Sequence, residues 1–396
     1  MGNRMKTFIE DYIHKEIEIT YHGTPLHFFS SQELFSSFEL DRGSRLLLRS
    51  ISEKVLRESM CKVLDAGCGI GTLGICLKSL KQGLEVDFTD RDALALLFAE
   101  YNATANNLPG SLFAGSLGIN QLQGKRYDLV VSNIPAKAGH TVIEQLIKGY
   151  AAVLTEYGQA AIVIVRTLGE LAEGIILGNK GRILHKHTTA DYTVFHYDSI
   201  DPETADTSLA PYIRGEGTFR AQNLDMPVRT VYGLPDFEHP GYAAELSMRL
   251  LKKSKTHGSM LVFNPGQGHI PLFLLSASEE HEGRVSLAGR DLLSLLISRL
   301  NIMQSLNITV QTHHIPYLRH LEETFDFIIV HYQKEAVPSS HILLLDDLTR
   351  LLASGGEVII TGKSAFLFRF NSLHHNFILL QDTKHKGYRA CHYRKK

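Results

Sequence analysis

Gly67 and Gly266 stand 199 residues apart, and the segments around them repeat: Val63-Leu-Asp-Ala-Gly-Cys-Gly-Ile-Gly71 against Val262-Phe-Asn-Pro-Gly-Gln-Gly-His-Ile270. The same spacing joins Phe38-Glu39 to Phe237-Glu238, Arg91-Asp92 to Arg290-Asp291, and Asn102 to Asn301. Tyr127-Asp-Leu-Val-Val matches Phe325-Asp-Phe-Ile-Ile with a slip of one residue. A spacing kept from Phe38 to Asn102, and to within one residue as far as Val131, marks an internal duplication, so the chain must build one architecture twice. Its 396 residues are enough for two domains that each bury a core.

Short apolar runs alternate with amphipathic stretches in each copy. Lys62 to Asp65, Leu84 to Thr89, Tyr127 to Ser132 and Gln159 to Val165 read as buried strands, with helices expected over Ala93 to Asn106 and Thr141 to Leu154. This alternation predicts an α/β fold, a mostly parallel sheet with helices on both faces, in each half. Lys6 to Ser37 reads as a small strand-rich extension, and the polar stretch Ser199 to Met226, with Pro202, Pro211, Gly215 and Gly217, as the linker. The domains are accordingly expected at 1–204 and 205–396.

The motif richest in chemistry is a strand that runs into Asp65-Ala-Gly67-Cys68-Gly69-Ile-Gly71 and then an apolar helix. Glycines there let the backbone turn sharply and come close to a ligand. Asp90, at the end of the next strand in Phe88-Thr-Asp90-Arg91-Asp92, is placed to accept hydrogen bonds from both hydroxyls of a ribose. Gly69-Ile-Gly71-Thr-Leu-Gly74 also fits the dinucleotide fingerprint. A carboxylate inside the loop, however, opposes a pyrophosphate and suits a ligand amine. After the fourth strand comes Ser132-Asn133-Ile134-Pro135-Ala136, for which a dehydrogenase has no use.

These motifs resemble those of the tandem "methyltransferase small" family, which includes bacterial ribosomal RNA guanine-N2 methyltransferases. The family's lead-in is matched by Phe35-Ser36-Ser-Phe-Glu-Leu40-Asp41-Arg-Gly43-Ser44-Arg-Leu-Leu-Leu48, and the likeness runs from about Leu26 to Val165. The resemblance implies two tandem class I methyltransferase folds of the Rossmann-like, seven-stranded kind. It also implies S-adenosyl-L-methionine as cofactor and a ribosomal RNA or ribosomal subunit as partner. Asp65, Gly67, Cys68, Gly69 and Gly71 would hold the methionine end, Asp90 with Arg91 the ribose, and Ser116 would lie beside the adenine. Asn133, which also borders the cofactor, and Pro135 would face the target nitrogen.

The sequence departs from the family pattern in two ways. The first copy keeps the motif, whereas the second copy is usually the active one in the family. At the constant spacing the second copy shows Asn264 for Asp65 and Gly289 for Asp90, and after the one-residue slip His331-Tyr332-Gln333 for the Asn-Pro-Pro motif, so it is expected not to bind the cofactor. In the first copy, Ile134 and Ala136 replace the second proline and the base-stacking aromatic. Three functions therefore stay open: a guanine-N2 methyltransferase, a non-catalytic scaffold that binds cofactor and recognises RNA or protein, and a protein or small-molecule N-methyltransferase.

Composition excludes other classes. Lys plus Arg number 41 against 42 for Asp plus Glu, so no surface-wide polyanion site is built in, and a local patch would have to meet RNA. Lys384 to Lys396 mixes basic and aromatic residues and is one candidate patch, the alternative being a last strand with a solvated basic end. Lys137 and His140 could approach a phosphate, although an exposed lysine is the plainer reading of Lys137. No run of membrane-spanning length or secretory core is seen, and a cytoplasmic location is expected. Neither the four cysteines nor the 20 histidines fall into metal-ligand spacing, so no metal is expected. Asp92 and Asp291 suggest helix caps, a structural role extended to Asn102 and Asn301, and Phe366 to Phe370 suggests core.

Overall fold

The computed structural model describes residues 9–34, 41–54, 60–81, 83–122, 124–221, 223–251, 258–276, 284–306, 308–332, 340–370 and 376–396. Phe35, Ser36, Phe38, Glu39, Leu40, Gln333, His374 and His375 lie outside the described residues. The chain divides into two compact units, Met1–Tyr212 and Ile213–Lys396.

The first unit begins with a hairpin, β1 (Lys15–Tyr21) and β2 (Thr24–Ser30), followed by α1 (Arg42–Lys54). There follow β3 (Lys62–Ala66), α2 (Thr72–Leu80), β4 (Glu85–Asp90), α3 (Ala93–Ala105), β5 (Leu112–Gly115), β6 (Tyr127–Asn133), α4 (His140–Ala152), β7 (Leu154–Val165), α5 (Gly169–Gly178), β8 (Arg182–Thr188) and β9 (Tyr192–Asp198). The seven strands from β3 onward form one sheet in the order β5-β4-β3-β6-β7-β9-β8, with β9 antiparallel to both its neighbours and the other pairings parallel. Both faces of the central strands are covered, so Val63, Leu64, Leu129, Val130 and Val131 are all buried.

The second unit repeats this plan. A hairpin of β10 (Ile213–Ala221) and β11 (Leu224–Val231) precedes α6 (Tyr242–Leu251), β12 (Met260–Phe263), α7 (His269–Ser276), β13 (Val285–Gly289) and α8 (Leu292–Ser305). Then come β14 (Val310–His314), β15 (Phe325–His331), α9 (Ser340–Leu351), β16 (Leu352–Lys363), α10 (Ser364–Phe370), β17 (Phe377–His385) and β18 (Tyr388–Lys395). The strand order, β14-β13-β12-β15-β16-β18-β17, is that of the first sheet. Two tandem Rossmann-like domains with seven-stranded, mostly parallel sheets are thus present, as the alternation predicts.

Several expectations are corrected. The stretch expected as linker, Ser199 to Met226, contains β10 and the start of β11. The division falls after Tyr212, beyond residue 204, because the intervening strap is fastened to the first unit. Asp206 N–H donates to Gln145 Oε1 (3.0 Å), Thr141 Oγ1 to the Pro211 carbonyl (2.9 Å) and Asn120 Nδ2 to the Thr207 carbonyl (2.7 Å). Leu154 belongs to β7, not to α4, because it pairs with Tyr127 ahead of a bulge. Asp92 and Asp291 cap α3 and α8 through Leu94 N–H (2.9 Å) and Leu293 N–H (3.0 Å), as read.

Asn102 and Asn301 are not caps. Asn102 accepts from Phe29 N–H (2.8 Å) and donates to the Phe29 (3.1 Å) and Ile70 (2.9 Å) carbonyls, tying hairpin, helix and glycine loop together. Asn301 makes the same set with Arg229 N–H (2.8 Å) and the Arg229 (2.9 Å) and Gln267 (2.8 Å) carbonyls. The C-terminal segment is β18, held between β16 and β17, and its polar side chains are engaged. Arg389 pairs with Asp382, His392 and Arg394 with Glu357, and Lys395 donates to the Thr349 and Leu352 carbonyls. Phe366 stacks on Tyr332 and Leu367 is buried.

Candidate functional site

The site of the first unit lies where β3, β4, β5 and β6 end, the carboxyl edge at which open α/β sheets bind ligands. Asp65 is on β3 and fully buried. Its Oδ2 accepts from Gly74 N–H (2.8 Å) in α2, while Oδ1 has no hydrogen-bond partner among the described residues. Burial pushes this carboxyl up to about 7, with the Asp90 charge adding to the shift. A buried acidic oxygen left without a donor calls for one from outside the chain.

The loop after β3 is built by backbone bonds. Gly67 and Cys68 N–H both donate to the Thr89 carbonyl (2.8 and 2.9 Å), folding the loop over the end of β4. Gly67 and Gly69 have φ of +71° and +54°, the left-handed region that favours glycine. A Cβ on either would meet no protein atom within 4 Å, so the loop faces open space that a ligand can fill. Gly71 differs, because a Cβ there would press on the Ala99 backbone of α3 at 3.2 Å. The Cys68 thiol is buried and held well above its ordinary pKa by desolvation and the nearby Asp90 and Asp65 charges, so it is no reactive thiolate.

Asp90 ends β4. Its Oδ2 accepts from Gly69 N–H (2.9 Å) and its Oδ1 from Asp92 N–H (2.8 Å), so it braces the glycine loop as well as facing the edge. Burial raises its carboxyl to about 6, and Asp92 adds to the shift. The Arg91 N–H also bonds this carboxylate, and at least one lone pair remains for a ligand hydroxyl. Ser116 follows β5 and is anchored to the same place, its N–H donating to the Asp90 carbonyl (3.0 Å) and its Oγ to the Gly118 carbonyl (3.0 Å). Arg91 stands near Tyr212, a buried residue of the strap whose hydroxyl is pushed up to about 12 by burial against the pull of that charge.

Asn133 ends β6. Asp65 pairs with Val131 across the two strands, so the glycine loop and Asn133 leave neighbouring strands at one level. Asn133 Nδ2 donates to Asp41 Oδ2 (2.7 Å) and Ser44 Oγ (3.2 Å), and its Oδ1 has no protein partner among the described residues. Ile134 is buried, whereas Pro135 and Ala136 are exposed. The Pro135 carbonyl closes a turn with Ala138 N–H (3.1 Å), which leaves the Ile134 carbonyl the freer of the two. All the expected site residues therefore come to one edge. Asp41 and Ser44 join them through Asn133, Tyr192 through Asp41, Tyr150 through a bond between its hydroxyl and that of Ser132 (3.1 Å), and Tyr212 beside Arg91. Only Asp41 and Ser44 left a trace in the sequence, in the lead-in motif.

The equivalent edge of the second unit lacks this chemistry, and the structure revises the residue equivalences there. Val63 pairs with Val86, but Met260 pairs with Val285, so the loop spacing is 197 rather than 199 residues. Asn264 (φ +57°), Gly266 (+63°) and Gly268 (+95°) thus stand for Gly67, Gly69 and Gly71, and Val262 for Asp65. Gly289 stands for Asp90, since Ile315 N–H bonds its carbonyl as Ser116 N–H bonds that of Asp90. Both carboxylates are gone, and His331, held neutral by burial, takes the place of Asn133.

Residues 25–196 match the family model described as Methyltransferase small domain. Curated relatives of the methyltransferase small domain include proteins named ribosomal RNA small subunit methyltransferase C. The one from Haemophilus influenzae (strain PittEE) is 32% identical over 163 residues, 40% of this chain and 46% of the relative. That from Aliivibrio fischeri (strain ATCC 700601 / ES114) is 32% identical over 161 residues, 40% of this chain and 45% of the relative. The chain therefore spans about half the length of the curated relatives it matches. Among solved structures, the 16S ribosomal RNA N2-G methyltransferase RsmC of T. thermophilus, in complex with AdoMet and guanosine, aligns with a TM-score of 0.66. The alignment has 16% identity and covers 98% of this chain and 99% of that one, so the tandem fold is shared end to end.

Proposed function

We propose that this protein is an S-adenosylmethionine-dependent N-methyltransferase that acts on the exocyclic N2 of guanine in ribosomal RNA. The observation that carries the reading is the meeting, on adjacent strand ends, of an orphaned buried carboxylate in a glycine loop with an asparagine whose oxygen is free. The similarity to RsmC, described with AdoMet and guanosine, and to the small-subunit methyltransferases supports the choice of cofactor and base. The residues fit that cofactor. Asp65 Oδ1 suits its ammonium, the open space over Gly67 and Gly69 its methionine chain, and Asp90, beside Arg91, its ribose hydroxyls. Ser116, just after β5, would lie beside the adenine.

When bound, S-adenosylmethionine supplies a methyl group on a sulfonium that departs as a neutral thioether. The protein's task is then to position and desolvate the acceptor amine. Asn133 Oδ1 and the Ile134 carbonyl accept the two N–H bonds of the amine, aim its lone pair and stabilise the positive charge that develops. Pro135 stiffens the exit from β6 behind them. No strong general base is demanded, because the acid formed on nitrogen loses its proton readily to water. The activity belongs with ribosomes, in the cytoplasm, on RNA or on the assembled subunit.

A second reading, a cofactor-binding scaffold without catalysis, draws on the exposed Ala136 where the family carries its base-stacking aromatic. A protein or small-molecule acceptor is the third. Incubation with methyl-labelled S-adenosylmethionine and naked ribosomal RNA, small subunits, protein extract or nucleosides separates them. Label recovered as N2-methylguanine from RNA, reduced roughly a hundredfold by Asn133→Ala, is the expected result. Cofactor binding by calorimetry with no label in RNA would leave the scaffold or the other acceptors.

A further inference from the structure

Asp41 lies outside the glycine loop and outside the Asn133 motif, yet it is the hub beneath the reacting edge. It is the residue before α1, and its Oδ2 accepts from Ser44 N–H (3.1 Å), the bond that caps that helix. The same oxygen accepts from Asn133 Nδ2 (2.7 Å), and Oδ1 accepts from the Tyr192 hydroxyl (3.2 Å) of β9. Gly43 makes room for this cluster, since a Cβ there would sit 2.9 Å from Asp41 Oδ2 and 3.0 Å from Tyr192 Cε1.

We propose that Asp41 is a positioning residue that holds the Asn133 amide in one of its two flips, so that the oxygen and never the nitrogen faces the substrate. The reason is chemical. A carboxylate only accepts hydrogen bonds, so the amide edge beside Asp41 must be the NH2 edge. The opposite edge, the carbonyl oxygen, is then fixed toward the cleft. The charge on Asp41 also polarises the amide and makes that oxygen a stronger acceptor. A site with this bias takes a group that offers hydrogens on nitrogen, an exocyclic amine, and rejects a ring nitrogen that offers a lone pair alone. Tyr192 holds the carboxylate from behind. The inference rests on the reading of the site as an N-methyltransferase.

Two variants test it. Asp41→Ser keeps a capping oxygen for α1 but is too short to reach Asn133, whereas Asp41→Asn keeps an acceptor at the Oδ2 position and can turn its NH2 to the Tyr192 hydroxyl. Asp41→Ser is expected to lower kcat for RNA methylation about tenfold or more, the loss of one charge-assisted bond, with the cofactor Kd unchanged. Asp41→Asn is expected to recover most of that loss. In an Asn133→Ala background, Asp41→Ser should cost nothing further, because its effect passes through Asn133. Additive losses, or a cofactor Kd that rises as kcat falls, would overturn the proposal. A readout free of catalysis keeps the two readings apart. Hydrogen exchange of the Asn133 side-chain NH2, followed by nuclear magnetic resonance, should be slow in the wild type and in Asp41→Asn and fast in Asp41→Ser. Slow exchange in all three overturns the positioning role even if no RNA is methylated. The expected exchange pattern with no methylation overturns the N-methyltransferase reading and leaves the amide orientation established.

Discussion

Asp65 pays for its position in ligand-free stability. The carboxyl is buried, one oxygen is unpaired, and its pKa stands at about 7 against an ordinary 3.8. The folded protein therefore holds a proton that the unfolded chain releases between about pH 4 and pH 7. Ligand-free stability falls as pH rises through that window. A cationic cofactor needs the ionised form, so its affinity moves the opposite way and rises as pH passes through about 6 and about 7, the values of Asp90 and Asp65. Calorimetry at about pH 5.5 and pH 8 is expected to show binding at least about tenfold weaker at the lower pH. Asp65→Asn, which can still accept from Gly74 N–H, should bind cofactor poorly at both pH values. It should also raise the melting temperature of the free protein at pH 8. Unchanged binding in that variant would remove Asp65 from the cofactor site.

At the scale of elements, one buried asparagine in each unit ties the hairpin to the sheet domain. Asn102 is fully buried and makes three hydrogen bonds that join β2, α3 and the glycine loop, whereas Asn106 bonds His27 at an exposed place. Asn102→Ala strands buried backbone groups and is expected to cost about 3 kcal/mol, against about 1 kcal/mol for Asn106→Ala, measured by denaturant unfolding. Asn301→Ala should mirror the Asn102 effect in the second unit. Sequence reasoning found both asparagines because they recur, but assigned them to the helix, since nothing in the residue type says that its partner is a strand some seventy positions away. The strands were legible from their apolar runs and the caps from Asp92 and Asp291, both local signals. The β7 boundary was missed because the pairing of Leu154 with Tyr127 is not local.

For the molecule as a whole, the duplication has left one fold with two chemical fates. Hydrogen exchange by mass spectrometry with saturating S-adenosylmethionine is expected to show new protection around residues 62–74, 88–92 and 131–135, and none around 260–272 or 287–291. A ligand at about a hundred times its Kd should add about 2.7 kcal/mol to the stability of the first unit alone. Protection in both units would show that the second loop still binds, despite Val262 and Gly289 at the two acidic positions. No described helix is long and apolar enough to cross a membrane, and no group of described side chains could hold a metal ion.

The sequence by itself determined that the chain is a duplication of strand-helix units, and it set the glycine loop with Asp65, Asp90 and Asn133 at the ends of neighbouring strands. These rest on spacing, periodicity and residue chemistry, which are local properties. Tertiary structure alone decided the rest. It set the loop register of the second copy two residues away from the constant spacing, because strand pairing, not sequence identity, decides which residue sits at the sheet edge. It drew the strap through Tyr212 into the first unit. It also brought Asp41, distant in sequence, under Asn133, so that a helix cap became the group that decides which way the asparagine faces.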